Sequence, residues 1–320
     1  MLYTIVGDPH AKPSNLDYIN KLFDIIEDLG NPCIILGDLL DTKELIRGKC
    51  LNTYFDRMSS SKLNFVVLVG NHDFFNKECE DHSLRILDKL ENVTVIDSPR
   101  TVTLSSGIKA LLLPYIANSE KFKEALKIEA EIVFCHADIN GFDYGNGHIA
   151  KHSITLEDFS KYPLVISGHY HKFQEKKNLI YLGTPFSHSF GESDQDKYIA
   201  LFDSSNRGLK LLKTPFPQHK TFVKNVLNKE DFFSLKTFLA TLKSDYDFIR
   251  VVVKTKRELS SLLDFSEYEN IKFILDFEEN TPIFSIKETK SNKAQFVEWA
   301  EANNLEKEVI SLGLEFLKDV

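Results

Sequence analysis

"LYTIVGDPH" occupies residues 2–10. Its first half, Leu2 to Val6, is an apolar run of the length and β-branched content of a buried strand. Its second half places Asp8 and His10 two residues apart, directly beyond that strand. In extended backbone, side chains at i and i+2 point the same way, so Asp8 and His10 can face one site. The same order recurs four times. PCIIL (32–36) leads to Gly37, Asp38 and, three residues on, Asp41. NFVVLV (64–69) leads to Gly70, Asn71, His72 and Asp73. EIVFC (131–135) leads to His136, and PLVIS (163–167) leads to Gly168, His169, Tyr170 and His171. Sites of open α/β sheets gather beyond the carboxyl ends of the strands, so these five points can converge.

The donor set indicates the chemistry. Carboxylate oxygens mixed with imidazole nitrogens suit manganese, iron or zinc better than magnesium or calcium. Asp8, His10, Asp38, Asn71, His136, His169 and His171 are more ligands than one ion with an open position can use. Two ions about 3.5–4 Å apart would use them all, with one carboxylate bridging, and such a pair clamps a phosphate and activates water near neutral pH. A lone GNHD is often a turn, and a lone HxH a strand end. Five such motifs, each following a strand, argue against coincidence. The remaining histidines, His82, His148, His152, His188 and His219, are expected in turns, caps or on the surface.

Around these motifs the chain alternates strands and helices, which predicts an α/β layered fold. Leu16, Ile19, Leu22, Phe23, Ile26 and Leu29 predict a helix over 14–29, with Ser14 as its N-cap and Gly30 as its stop. Further strands are expected at 109–113, 179–182 and 198–202. The Pro-containing stretch 214–219 reads as a linker. Beyond it a smaller α+β unit is expected. Its helix spans 231–243, with Phe232, Leu235, Phe238, Leu239 and Leu242 on one face, and its strands lie at 247–253, 271–275 and 283–286. Two helices, near 292–303 and 305–318, close the chain.

With 320 residues, one large domain plus a smaller one is expected. Four cysteines without a CxxC pair read as reduced thiols of a cytoplasmic protein (host cytoplasm, if a phage encodes it). No signal peptide and no membrane span is expected. The net charge of -8 excludes a protein coated in basic surface, but not a local nucleic-acid groove.

The order DxH, GDxxD, GNHD, H, GHxH, over roughly the first 175 residues, resembles the signature of the calcineurin-like metallophosphoesterase superfamily. Gly183-Thr184-Pro185 followed by Phe190-Gly191-Glu192 resembles the segment that follows the last metal motif in SbcD-type DNA-repair nucleases. The smaller unit after residue 220 and the layout from Cys79 to Pro114 resemble them too, most of all the short phage members, the exonuclease subunit 1 group.

The resemblance implies a sandwich of two β-sheets flanked by helices (1–215), a small α+β capping domain (220–290) and C-terminal helices (291–320). It implies two divalent cations, Mn²⁺ first and Mg²⁺ as the alternative. Asp8, His10, Asp38 and His171 would hold one; Asp38, Asn71, His136 and His169 would hold the other. It gives His72 the role of general acid in hydroxide attack on a phosphodiester, with Asp41 orienting its ring. Asp73 is expected to be structural. The implied activity is exonuclease action on duplex DNA, with single-strand endonuclease action as a variant, in recombination, repair or replication. The implied partners are DNA, a second copy in a homodimer, and an SbcC-like ABC-type ATPase docking on 291–320. That segment carries three basic and six acidic residues, which disfavours DNA as its target. DNA contacts are expected from Lys172, Lys176, Lys177, Lys254, Lys256 and Arg257. The rival readings are a stand-alone phosphatase or cyclic-nucleotide phosphodiesterase, and a scaffold that has lost its metals.

Overall fold

The computed structural model describes residues 1–43, 45–76, 81–145, 147–242, 248–268, 270–277 and 300. The chain divides into two compact units, Met1–Asp276 and Phe277–Val320. The expected strand at 283–286 and the expected helices within 291–320 lie outside the described residues.

Two six-stranded sheets form the first unit's main body. In the first, the order is β12 (Gly208–Lys213), β11 (Tyr198–Asp203), β1 (Leu2–Val6), β2 (Cys33–Ile35), β3 (Phe65–Leu68) and β4 (Val93–Ile96). In the second it is β5 (Arg100–Thr103), β6 (Lys109–Leu113), β7 (Ile132–His136), β8 (Leu164–Gly168), β10 (Leu179–Tyr181) and β9 (Gln174–Lys176). The run β1-β2-β3-β4 and the run β6-β7-β8-β10 pair in parallel, while β11 and β12 on one side, and β5 and β9 at the ends of the second sheet, add on antiparallel.

The interior strands are buried on both faces, so the two-residue alternation sorts their side chains between two cores. Ile5, Ile34, Leu36 and Leu68 meet Ala110, Leu112, Ile132, Phe134 and Ile166 in the layer between the sheets. Val6, Ile35 and Val67 point outward against helices α1 (Leu16–Leu29) and α2 (Gly48–Ser60). Val133, Cys135 and Val165 face the opposite outer layer, which includes α3 (Ser119–Ala125). The expected two-sheet sandwich flanked by helices is what forms.

The expected apolar strands appear within a residue or two of their bounds, and Gly30 ends α1 in a left-handed conformation, φ 67°. The N-cap differs from the expectation. A 3-10 turn, Pro13–Asn15, precedes α1, and Asn15 rather than Ser14 organises the entry. Its Oδ1 accepts the Lys12 N–H (2.8 Å) and its Nδ2 donates to the His10 carbonyl (3.0 Å), tying the helix start to a candidate ligand. Cys33, Cys50 and Cys135 are buried and unpaired, as reduced thiols should be.

A three-stranded sheet follows, β13 (His219–Val226), β14 (Phe248–Thr255) and β15 (Ile271–Phe277), in that order. β13 begins inside the stretch expected to be a linker. Helix α4 (Lys229–Thr241) lays Leu235 and Leu239 on Val226, Ile249, Val251 and Val253, with Phe232, Phe238 and Leu242 alongside, so its expected apolar face is the buried one.

Phe202 lies wholly buried between the two large sheets, edge-on to Phe134 with ring centroids 5.7 Å apart. Phe202→Ala should lower unfolding stability by about 3–5 kcal/mol through lost burial and a residual cavity. Urea unfolding followed by circular dichroism would check this as a lower midpoint with unchanged slope.

Candidate metal centre

The loops beyond β1, β2, β3, β7 and β8 meet at one end of the sandwich. The first two continue the sheet's ladder: His10 N–H donates to the Asp38 carbonyl (2.9 Å) and Ala11 N–H to the Leu39 carbonyl (2.7 Å). The backbone is strained where the donors sit. His10 (φ 42°), Asp38 (φ 49°) and His169 (φ 96°) all lie at positive φ without being glycine. Each costs on the order of 1–3 kcal/mol, a cost that persists where the surroundings over-determine the geometry. The glycines before the ligands have a spatial cause. A Cβ at Gly70 or Gly168 would collide with the carboxylate of Asp38 or Asp8 respectively.

Asp38 sits at the middle. Its Oδ1 accepts the His72 N–H (2.7 Å). Its Oδ2 stands 3.6 Å from His10 Nε2 and 3.5 Å from His136 Nε2. Two donor triads share it: His10, Asp38 and His72, and Asp38, His136 and His169, with the donor atoms of each within 4.8 Å of one another. His10 Nε2 faces His171 Nε2 at 3.0 Å. Asn71 Oδ1 lies 2.9 Å from both His136 Nε2 and His169 Nδ1. Asp8 Oδ2 accepts the His169 N–H (2.9 Å), while its Oδ1 is buried without a hydrogen-bond partner. All seven expected donors therefore converge.

The outer contacts aim these donors. His136 Nδ1 donates to the Leu36 carbonyl (2.8 Å) and His171 Nδ1 to the Glu192 carboxylate (2.8 Å). Each leaves Nε2 for the centre, as the second shell of a metal site does. Nitrogen and oxygen acceptors facing one another, with an orphaned carboxylate oxygen beside them, fit divalent cations. Tyr115 stacks on His169 with centroids 6.0 Å apart and closes one side.

Protonation follows from burial and neighbours. Burial pushes Asp8 up to about 7, against the pull of His136. Burial also acts to raise Asp38, but His136 and His10 win and hold it well below the carboxylate range. His136 is raised to about 9: burial opposes the charge, and the Asp38 and Asp8 carboxylates overcome it. Burial, then His136, pushes His169 down to about 3. These shifts favour a proton on His136 near neutral pH.

A profile of the calcineurin-like phosphoesterase family matches residues 1–173, the segment that carries every one of these donors. The chain belongs to the calcineurin-like phosphoesterase family. Its relatives include "Putative phosphoesterase 078R" of Invertebrate iridescent virus 3, 32% identical over 214 residues, 59% of this chain and 58% of that one. The match thus spans less than two thirds of that relative. "Putative phosphoesterase 244L" of Invertebrate iridescent virus 6 is 29% identical over 215 residues, 61% of this chain and 74% of that one. "Exonuclease subunit 1" of Enterobacteria phage T4 is 25% identical over 246 residues, 73% of this chain and 72% of that one.

Several residues differ from their expected places. The group that His72 Nδ1 meets is the main-chain carbonyl of Asp41 (2.9 Å), so the peptide rather than the Asp41 carboxylate orients the ring. His188, expected in a turn or on the surface, packs against His10 and His171, with centroids 5.4 and 5.8 Å away. His219 is buried between Phe190 and Phe248. Of the lysines expected on DNA, Lys172 pairs with Asp143 (2.9 Å), Lys177 with Glu157 (3.5 Å), and Lys176 donates to the Gly141 carbonyl. Asp73 is structural as expected: its two oxygens accept the N–H groups of Leu40 (3.1 Å) and Gly70 (2.9 Å). Glu192 and Lys197 were not foreseen as site residues. The Phe-Gly-Glu motif is a signal for Glu192, and none marks Lys197. No helix among the described residues is long and apolar enough to cross a membrane.

Cation binding must displace the proton that Asp38 and Asp8 hold on His136. Apparent Mn²⁺ affinity should therefore rise about tenfold per pH unit from 7 towards 9 and level off above, with a steeper rise below 7 where Asp8 also protonates. Calorimetric Mn²⁺ titrations across that range check the slope. Asp38→Asn should weaken Mn²⁺ binding in the same titrations by more than the roughly 10–100-fold expected for losing a group that merely orients a ligand.

Proposed function

We propose that the chain is a two-cation DNA exonuclease, the nuclease subunit of an SbcCD-type complex. Asp8, His10, Asp38 and His171 would hold one cation, and Asp38, Asn71, His136 and His169 the other. Such a pair, Mn²⁺ or Mg²⁺, supplies Lewis acidity and an activated water when bound. The observation that supports the two-cation reading best is the position of Asp38 Oδ2, nearly equidistant from His10 and His136. The DNA assignment rests on the match to "Exonuclease subunit 1", which covers 73% of the chain and so extends past the segment of the family profile.

The protein's own residues then divide the remaining work. His72 is half-buried at the edge of the donor cluster, its ring edge-on to His10 with centroids 4.8 Å apart. With Nδ1–H committed to the Asp41 carbonyl, Nε2 is the atom that would carry a proton to the departing sugar oxygen. The strained loops hold the donors rigid, so little reorganisation accompanies the reaction. Residues 220–290 would form a cap beside the site, and 291–320 would dock an SbcC-like ATPase. A second copy of the chain would complete a homodimer.

The test is an end-labelled linear duplex with Mn²⁺, with and without the cognate ATPase, beside a small cyclic or aryl phosphodiester. Processive loss of label from the duplex is the expected result. Turnover of the small ester alone would move the assignment to a phosphatase or cyclic-nucleotide phosphodiesterase. His72→Ala should lower turnover on duplex by about 10²–10⁴-fold while calorimetry still shows cations bound. Full activity in that variant would refute the proton-donor role.

A further inference from the structure

We infer that Glu192 is the positioning residue of His171, and that the three-stranded sheet holds it there by gripping the turn Phe190–Glu192. The inference rests on the two-cation reading of the centre.

Glu192 is 6% exposed. Its Oε1 takes the His171 Nδ1–H (2.8 Å). Its Oε2 accepts from Lys197 Nζ (2.7 Å), His188 N–H (3.2 Å) and Thr184 Oγ1–H (3.4 Å). A buried carboxylate with this many donors has a single low-energy place. Lys197, itself 2% exposed, also donates to the His171 carbonyl (3.0 Å) and to Thr184 Oγ1 (2.8 Å). The pair thus holds His171 at both ends, ring and main chain. The other cation's His136 is held differently, by a peptide carbonyl of β2's own loop. Only the first position depends on a side chain delivered from residues 190–197.

That side chain depends in turn on the lateral sheet. Ser193 Oγ meets Thr221 Oγ1 of β13 at 2.7 Å. The Arg250 guanidinium of β14 lies 4.8 Å from the Phe190 ring centroid, and it donates to the Phe190 carbonyl (3.4 Å) and to Thr221 Oγ1 (3.2 Å). His219 packs edge-on to Phe190, centroids 4.7 Å apart, and bonds Ser187 Oγ (2.9 Å). A displacement of β13 and β14 therefore moves the turn that carries Glu192, and through it the ring of His171, while the contacts of His136 stay within the sandwich.

Two double variants separate positioning from charge balance. Glu192→Gln with Lys197→Met keeps an acceptor oxygen for His171. Glu192→Leu with Lys197→Met removes it, at the same net charge. Mn²⁺ isotherms and the electron paramagnetic resonance signal of the exchange-coupled pair are read on both and on Arg250→Ala. Wild type should bind two Mn²⁺. The glutamine variant should still bind two, weakened at the His171 step only by the loss of the Lys197 contact. The leucine variant should lose about 10–100-fold relative to the glutamine variant, at that step only, and its signal should turn mononuclear. Arg250→Ala should weaken the same step by a smaller factor. Equal isotherms for the two double variants, or both steps falling together, overturn the positioning role. An unchanged isotherm in Arg250→Ala overturns the grip of the sheet. If the leucine variant fails to fold, Arg250→Ala carries the test alone, by the same criterion. Wild type binding fewer than two Mn²⁺ would instead refute the two-cation reading itself.

Discussion

The carboxylate of Asp38 is the constraint around which the rest is arranged. It is 1% exposed, and one of its oxygens is committed to the His72 N–H. The other is left between imidazoles that arrive from different sheets, His10 from β1 and His136 from β7. A buried carboxylate costs several kcal/mol unless it is compensated. Here the compensation comes from groups far apart in sequence, so the charge is tolerable only if both sheets close in register. The left-handed backbone at His10, Asp38 and His169 belongs to the same constraint. A strand that ended one residue earlier or later would turn its donor into the core.

That dependence explains why so much of the site was legible in the chain. Each candidate ligand follows an apolar strand buried on both faces, and such strands announce themselves by composition alone. Strands with weaker burial were not legible. β5, RTVT, and β9, QEK, are polar edges that pair on one side only, and β12 packs by alternation too short to read. Helix α2 buries Cys50, Tyr54 and Met58, with Leu51 and Phe55 partly buried beside them, and it escaped because a cysteine and a tyrosine in that stripe, set among polar residues, make a weak apolar signal. β13 escaped because its first residue lies in a Pro-rich approach that resembles a linker.

The site's inner ring was legible and its outer ring was not, for a physical reason. The candidate ligands sit at strand ends, so their positions repeat. The groups that hold them in place need only reach, and they come from wherever the chain passes. Glu192 arrives from a 3-10 turn, Lys197 from the approach to β11, and Leu36 contributes a carbonyl that has no side-chain signature at all. The Asp41 carbonyl that meets His72 belongs to this class. The sequence drew attention to the right residue there for the wrong atom, because motif reading credits side chains and overlooks the peptide.

The fate of the lysines bears on how an anionic substrate would be held. Lys172, Lys176 and Lys177 follow directly after His171, yet they are engaged by Asp143, the Gly141 carbonyl and Glu157, and so fix the neighbouring loop to β9 and its flanks. Lys197 is spent on Glu192. The rim beyond the last histidine motif is thus largely self-neutralised, in a chain of net charge -8. On the two-cation reading, attraction for a phosphate then comes chiefly from the centre itself, where two divalent ions outweigh the carboxylates of Asp8 and Asp38. Metal loading would control substrate capture as well as chemistry. If DNA is the substrate, a rim neutralised in this way would make the salt dependence of its binding shallow for the isolated chain, and steeper if a partner contributed basic surface.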